Sequence, residues 1–208
     1  MTDVHFWFDF SCPYAYLGST RIEAVASENG GRVRWRPFLL GGVFVALGVP
    51  PDLTHAIAPA KQRHNACDLA RWADVFGVPF RFPDRHPRRT VTALRALLAA
   101  PEDRWSPAIH GLYRAYWVEG RAVETPEVVR EVLDEAGADG AACIDAAGTP
   151  ALKAELRRRT DEALALGVFG APTMFVDGEM FWGQDRLDWV GRALRSRRDG
   201  AVEPTWPP

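Results

Sequence analysis

The spacing of apolar residues changes along the chain, and each change predicts an element. His5-Phe6-Trp7-Phe8-Asp9-Phe10 is a short aromatic run with turn formers after it, which predicts a buried strand. Ser11-Cys12-Pro13 follows at once. Proline suits the first position of a helix, where its missing N–H would have no intrahelical partner anyway. Tyr14, Leu17, Ile22, Val25 and Ala26 then recur at roughly helical spacing until Asn29-Gly30-Gly31 ends the pattern. From Arg32 to Phe38 polar and apolar residues alternate, as in a strand. This opening is β-α-β, and a crossover of that length implies a parallel pair.

From about Leu40 to Ala165 strand signals mostly stop. A proline-rich loop, Val49 to Pro59, leads to a predicted helix from Lys61 to Phe76. Further helical stretches run from Thr90 to Ala100, Trp105 to Val118, Pro126 to Ala136 and Pro150 to Ala165, most of them separated by Gly or Pro. Strand character returns at Thr173–Val176 and Glu179–Trp182, with Asp177-Gly178 between them as a hairpin turn. A last helix from Gln184 to about Arg197 precedes a proline-ended tail. β-α-β, a helical block, a β-hairpin and a helix is the order of a thioredoxin fold split by an insertion. The sequence thus predicts an α/β protein. Residues 1–40 and 166–200 would build the thioredoxin domain, 41–165 the inserted helical domain, and 201–208 a tail.

Composition narrows the function classes. The 208 residues are 47% hydrophobic and 25% charged, ordinary globular values. Twenty-five basic and 27 acidic residues leave a net charge of -2, without the basic excess that nucleic acid or a membrane surface would call for. No stretch approaches the ~20 apolar residues of a membrane-spanning helix. The first ten residues lack a basic segment followed by an apolar run, so no secretory leader is expected. Cys12, Cys67 and Cys143 are an odd number without metal-ligand spacing. Neither a disulfide framework nor a metal site is expected, and a cytoplasmic setting with reduced thiols is.

Cys12 stands where a strand ends and a helix begins, where free N–H groups and the positive end of the helix dipole favour an anion. Such a thiol is expected to titrate below its free value of about 8.5 and to be a nucleophile. The other reading is a small buried core cysteine. Cys12-Pro13-Tyr14-Ala15 has the outline of a Cys-x-x-Cys redox motif with Ala15 in place of the second thiol. A dithiol oxidoreductase needs that sulfur to resolve a mixed disulfide, so a partner thiol would come from solution, with glutathione the obvious candidate. Gly170-Ala171-Pro172-Thr173 is either an edge-strand stop or the cis-proline that thioredoxin folds hold beside the active-site residue. Asp185, at the start of the last helix, either caps it or holds the α-amino group of a peptide ligand.

Taken together, the segments resemble the 2-hydroxychromene-2-carboxylate isomerase family, a DsbA-like branch of the thioredoxin superfamily related to kappa-class glutathione transferases. The resemblance rests on Phe8 to Gly18, Trp35 to Gly41, Pro59-Ala60-Lys61, Asp68 to Ala73, Gly77 to Phe80 and the block from Gly167 to Leu187. It implies a glutathione-dependent isomerase of 2-hydroxychromene-2-carboxylate or a related aromatic carboxylate, working in aromatic degradation. The glutathione thiolate would add to the ring, allow rotation in the opened form and leave again. The residue before Pro13 is then the catalytic one. The family usually has serine there, and this chain has Cys12, with Ser11 one place earlier as a second candidate donor. By the same resemblance Lys61, Ala171, Pro172, Asp185 and Arg186 would contact glutathione, and a homodimer is implied. Arg89 departs from the family pattern, which has Asn before Ser or Thr. Trp117, Phe169 and Trp182 could wall an aromatic pocket, although core packing is the ordinary fate of any one ring. Cysteine in place of serine keeps a second reading open, a monothiol glutathione-coupled transferase or thiol-disulfide oxidoreductase. A third is a binding module that holds a peptide along Ala171-Pro172.

Overall fold

A computed structural model describes residues 1–50, 56–198 and 200. The tail 201–208 and part of the proline-rich loop lie outside the described residues. Four strands form one sheet in the order β2-β1-β3-β4: β1 Thr2–Phe8, β2 Gly31–Pro37, β3 Thr173–Val176 and β4 Glu179–Trp182. β1 runs parallel to β2, with Phe6 opposite Trp35, and antiparallel to β3, with Trp7 opposite Thr173. Helix α1, Pro13–Glu28, crosses between the parallel strands. It packs with the last helix, α9 (Leu187–Arg198), beside the sheet. This is the thioredoxin arrangement that the element order predicts, and the family resemblance implies its DsbA-like form.

Local chemistry accounts for the turns. Asp177 and Gly178 both take positive φ (47° and 87°), the conformation that a two-residue hairpin matching the twist of its strands needs. β3 is wholly buried, whereas β4 lies at the sheet edge and is only partly covered.

Between β2 and β3 the chain is helical: α2 Leu40–Ala46, α3 Pro59–Phe76, α4 Val91–Ala99, α5 Trp105–Trp117, α6 Pro126–Glu135, α7 Gly140–Ala147 and α8 Pro150–Ala165. The pattern of the sequence does not predict α2 or α7. Leu40-Gly41-Gly42 is poor helix-forming sequence. Its first turn is held from outside instead: the Leu39 N–H donates to Thr160 Oγ1 (3.1 Å) and the Leu40 N–H to Asp9 Oδ2 (2.9 Å). In α7 the N-cap Asp139 accepts from the Ala142 N–H, and Gly140 lies against the Arg130 carbonyl with no room for a Cβ.

A single hydrophobic cluster runs from the sheet into the helices. α5 is the bridge. Tyr113 packs edge-on against Phe10 (5.2 Å between centroids) and beside Phe8 (6.1 Å), while Trp117 Nε1 donates to the Phe10 carbonyl (2.8 Å). Phe8 is fully buried among Phe6, Phe10, Trp35 and Tyr113. Phe8→Ala removes the ring that joins sheet to helices and is expected to cost about 3–5 kcal/mol, read from urea-unfolding midpoints. A loss under about 1 kcal/mol would show that the two regions do not share a core there.

Candidate active site at the start of helix α1

β1 ends at Phe8, and the next four residues turn into α1, with Cys12 as its N-cap and Pro13 in its first turn. Asp9 sets this turn. Its side chain is buried, and four donors converge on it. Oδ1 accepts from the Ser11 N–H (3.0 Å), the Ser11 hydroxyl (3.1 Å) and the Thr90 hydroxyl (2.6 Å), and Oδ2 accepts from the Leu40 N–H. Burial raises the Asp9 pKa above the ordinary carboxylate value, and the four donors offset only part of that rise. The carbonyl of the same residue accepts from the Cys12 N–H (3.1 Å) and the Tyr113 hydroxyl (3.3 Å). A carboxylate inside an aromatic run is the one signal that could have marked Asp9 beforehand, because buried acids are rare unless partnered.

Cys12 is 7% exposed, and its thiol donates to the Ala171 carbonyl across a cis Ala171–Pro172 bond, at 3.0 Å. The N–H groups of Tyr14 and Ala15 face its sulfur and favour the thiolate. Burial outweighs them, the nearby Asp9 carboxylate adds to it, and the thiol is pushed up to about 12. This corrects the expectation of a depressed thiol. The helix start does point the right way, but the sulfur has been taken out of water. Cys12 is a neutral hydrogen-bond donor here.

The other residues singled out in the sequence fall into two groups. Ala171 and Pro172 touch the site directly, and among the described residues the Ala171 N–H has no hydrogen-bond partner. Asp185 and Arg186 lie in a short 3-10 turn after Gly183, joined to each other at 2.7 Å, and the Gly183 N–H donates to the Pro172 carbonyl (2.9 Å). Burial raises the pKa of the Tyr14 phenol, Asp68 adds to the shift, and Asp185 contributes least. Lys61 is exposed in the first turn of α3. It shares a helix face with Asp68, two turns on, which accepts from the Tyr14 hydroxyl (3.2 Å).

The second group is occupied elsewhere. The Ser11 hydroxyl is committed to Asp9. Arg89 is exposed, and it is the neighbouring Thr90 that reaches the centre. Trp117 is core, fully buried and bonded to Phe10, whereas Phe169 and Trp182 are roughly half exposed.

The three free cysteines offer a direct check, since only Cys67 is exposed. Iodoacetamide at pH 7.5 is expected to label Cys67 first and leave Cys12 unlabelled in the folded protein. Burial favours the neutral thiol, so its contribution to stability is present below the free value of about 8.5 and is lost as pH rises towards about 12. Thiolate absorbance from Cys12 below pH 8 would contradict the neutral-donor picture.

A family model described as a DSBA-like thioredoxin domain matches residues 3–195. A 2-hydroxychromene-2-carboxylate isomerase of Sphingobium xenophagum is 30% identical, across 90% of this chain and 95% of its own. Glutathione S-transferase kappa 2 of Caenorhabditis elegans is 29% identical, over 98% of this chain and 96% of its own. Among solved structures, a 2-hydroxychromene-2-carboxylate isomerase superposes with a TM-score of 0.78 at 28% identity, covering 96% of this chain and all of that one. Its relatives thus include isomerases and glutathione transferases, matched over nearly the whole chain. The chain belongs to the DsbA-like thioredoxin family, in the branch of the 2-hydroxychromene-2-carboxylate isomerases.

Proposed function

We propose that the protein is a glutathione-dependent isomerase of 2-hydroxychromene-2-carboxylate or a closely related fused-ring aromatic carboxylate. What supports this reading is the likeness to 2-hydroxychromene-2-carboxylate isomerases over nearly the whole chain, together with the geometry at Cys12: a buried thiol 3.0 Å from the Ala171 carbonyl, with the Tyr14 and Ala15 N–H groups facing its sulfur. A dithiol oxidoreductase would need a second sulfur at Ala15 and an ionised first one. A thiol that stays protonated is suited instead to donating a hydrogen bond to another molecule's sulfur anion, as a serine hydroxyl would. Sulfur is the weaker donor.

The residues present fit glutathione, which combines a thiol, an ammonium and two carboxylates. When bound, it would supply a thiolate nucleophile that the chain itself does not expose. Cys12 would turn from Ala171 to donate to that sulfur, with the Tyr14 and Ala15 amides and the dipole of α1 adding to the field. The unpartnered Ala171 N–H would pair with the peptide backbone beside Pro172. Asp185 would take the ammonium, and Lys61 and Arg186 the carboxylates. Asp9 would keep the turn rigid through its four hydrogen bonds without touching the ligand. Reduced cysteines and the use of glutathione suit the cytoplasm.

The test is the initial rate of 2-hydroxychromene-2-carboxylate isomerisation, followed by ultraviolet absorbance with and without glutathione. Turnover is expected only with glutathione. Cys12→Ser should keep the rate within about tenfold, and Cys12→Ala should lower it about 100-fold, the usual effect of losing one anion-stabilising donor. Equal rates with and without glutathione would refute the reading. Lys61→Ala is expected to raise the KM for glutathione about fivefold with kcat little changed, since it removes a binding contact remote from the chemistry.

A further inference from the structure

Strand β2 forms one edge of the sheet, and among the described residues β1 is its only neighbour there. Its side chains alternate between two faces. Arg32, Arg34 and Arg36 stand opposite Asp3, His5 and Trp7 of β1, while Val33 and Trp35 stand opposite Val4 and Phe6 on the core side. The backbone alternates too. The Phe38 N–H donates to the Phe8 carbonyl (3.1 Å), so the N–H and C=O groups of Val33 and Trp35 turn the other way, out from β1. Among the described residues no hydrogen bond takes them up.

A groove of about 380 Å³ runs along this edge. It takes in Val33 and Trp35 as well as Arg34 and Arg36, residues of both faces, which places it on the rim of the sheet. Trp105 at the start of α5 and Arg159 of α8 line it as well. Three guanidiniums in the groove are each oriented through Nε. Arg34 donates to Asp3 (3.1 Å), Arg36 to His5 Nδ1 (2.9 Å) and Arg159 to Glu155 (2.7 Å), and Arg159 also rests over the Trp105 ring. Their terminal nitrogens have no partner among the described residues. The Arg159 side chain is only 14% exposed, so packing fixes it. Arg36 has no carboxylate at all. Burial and the Arg36 charge hold His5 below the ordinary histidine pKa, so the imidazole gives Arg36 a lone pair but no countercharge. Two acids line the groove, and one of them, Asp3, is already shared by Arg32 and Arg34; the other is Glu102.

We propose that this groove is a docking slot for an extended acidic segment of a partner polypeptide, which adds to β2 as a further strand. The segment pairs its backbone with Val33 and Trp35, and lays acidic side chains two residues apart against Arg34 and Arg36. Residues i and i+2 of any strand recur about every 6.6 Å, so the two rows match. Arg159 meets the segment from α8. Charge decides the occupant. A second copy of β2 in the slot would bring two rows of arginines together, which like-charge repulsion penalises, and charged edges commonly prevent self-pairing in this way. An acidic strand meets the same arginines as hydrogen-bonded ion pairs. The proposal does not depend on the isomerase reading.

The test uses the intact chain and a short probe, acetyl-Val-Glu-Val-Glu-Val-amide, with acetyl-Val-Lys-Val-Lys-Val-amide and citrate as controls. Binding is followed by amide chemical shifts and by hydrogen exchange. The glutamate peptide is expected to bind and, at saturation, to slow exchange of the Val33 and Trp35 N–H groups about tenfold. Arg36→Gln should weaken it about fivefold, the upper range for one exposed ion pair. Arg159→Gln should act in the same direction, and it serves as the second variant should Arg36→Gln fail to fold.

The slot is wrong if the glutamate peptide does not bind at millimolar concentration. It is wrong if the lysine peptide binds as well, since charge would not then select the occupant. It is wrong too if citrate displaces the peptide while exchange at Val33 and Trp35 stays unchanged, because the arginines would then hold a carboxylate without strand pairing. Light scattering also decides against it if Arg36→Gln converts a dimer to monomers, since the edge would then be an interface between copies.

Discussion

The Asp9 carboxylate organises the site. It lies in the interior just past the end of β1 and accepts hydrogen bonds from Ser11, Thr90 and Leu40. These tie the turn before α1, the start of α2 and the N-cap of α4 to one point. A buried acid costs free energy unless its lone pairs are filled, and here its partners come from segments far apart in sequence. None of those segments would hold its position as well without the others. The glycine-rich α2 shows this most clearly, because its first N–H groups are satisfied by Asp9 and Thr160 and not by any local cap. The Asp9 carbonyl extends the same anchor to Tyr113 of α5, so the sheet, α1 and the helical block meet where Cys12 begins its helix.

This anchoring explains why a cysteine at a helix start behaves unlike the reactive thiols of redox proteins on the same scaffold. The N-terminal amides of α1 point at the sulfur, as they do in any thioredoxin fold. Yet the thiol is packed under the Ala171–Pro172 step and close to a buried carboxylate, and both conditions penalise a second negative charge. With Ala15 where a resolving cysteine would stand, the site has neither an ionised thiol nor a partner for it. What the structure brings together there is a thiol donor, the Ala171 carbonyl and the amides of Tyr14 and Ala15.

The surroundings divide the same end of the molecule into zones. Asp68 and Asp185 bring negative charge close to Tyr14, and Lys61 and Arg186 are exposed on the elements that carry them. Phe169 and Trp182 pack on each other, and the strand register sets Trp182 on the sheet face that bears Trp7 and Thr173.

Much of this was legible in the sequence. The aromatic run before Cys12, Pro13, the alternation from Arg32 to Phe38 and Asp177-Gly178 all act through local physics, namely strand pairing, a missing N–H and a turn with positive φ. They marked the elements of the thioredoxin core, including the hairpin strands with their observed limits, and they brought Cys12 to a helix start. The motifs that carry the family resemblance ran in the right order for the same reason. Helices α2 and α7 were not legible, because Leu40-Gly41-Gly42 and Gly140 form helix only against Asp9, Thr160 and the Arg130 carbonyl. Nor could the sequence show that Ser11 is spent on Asp9, that Trp117 is core while Trp182 is surface, or that Cys12 is neutral. Each of these depends on how much water a group keeps and on partners tens of residues away. Sequence by itself determined which residues stand at the start of α1; only the tertiary structure decided their charge and their company, because desolvation is a property of packing and not of spacing along a chain.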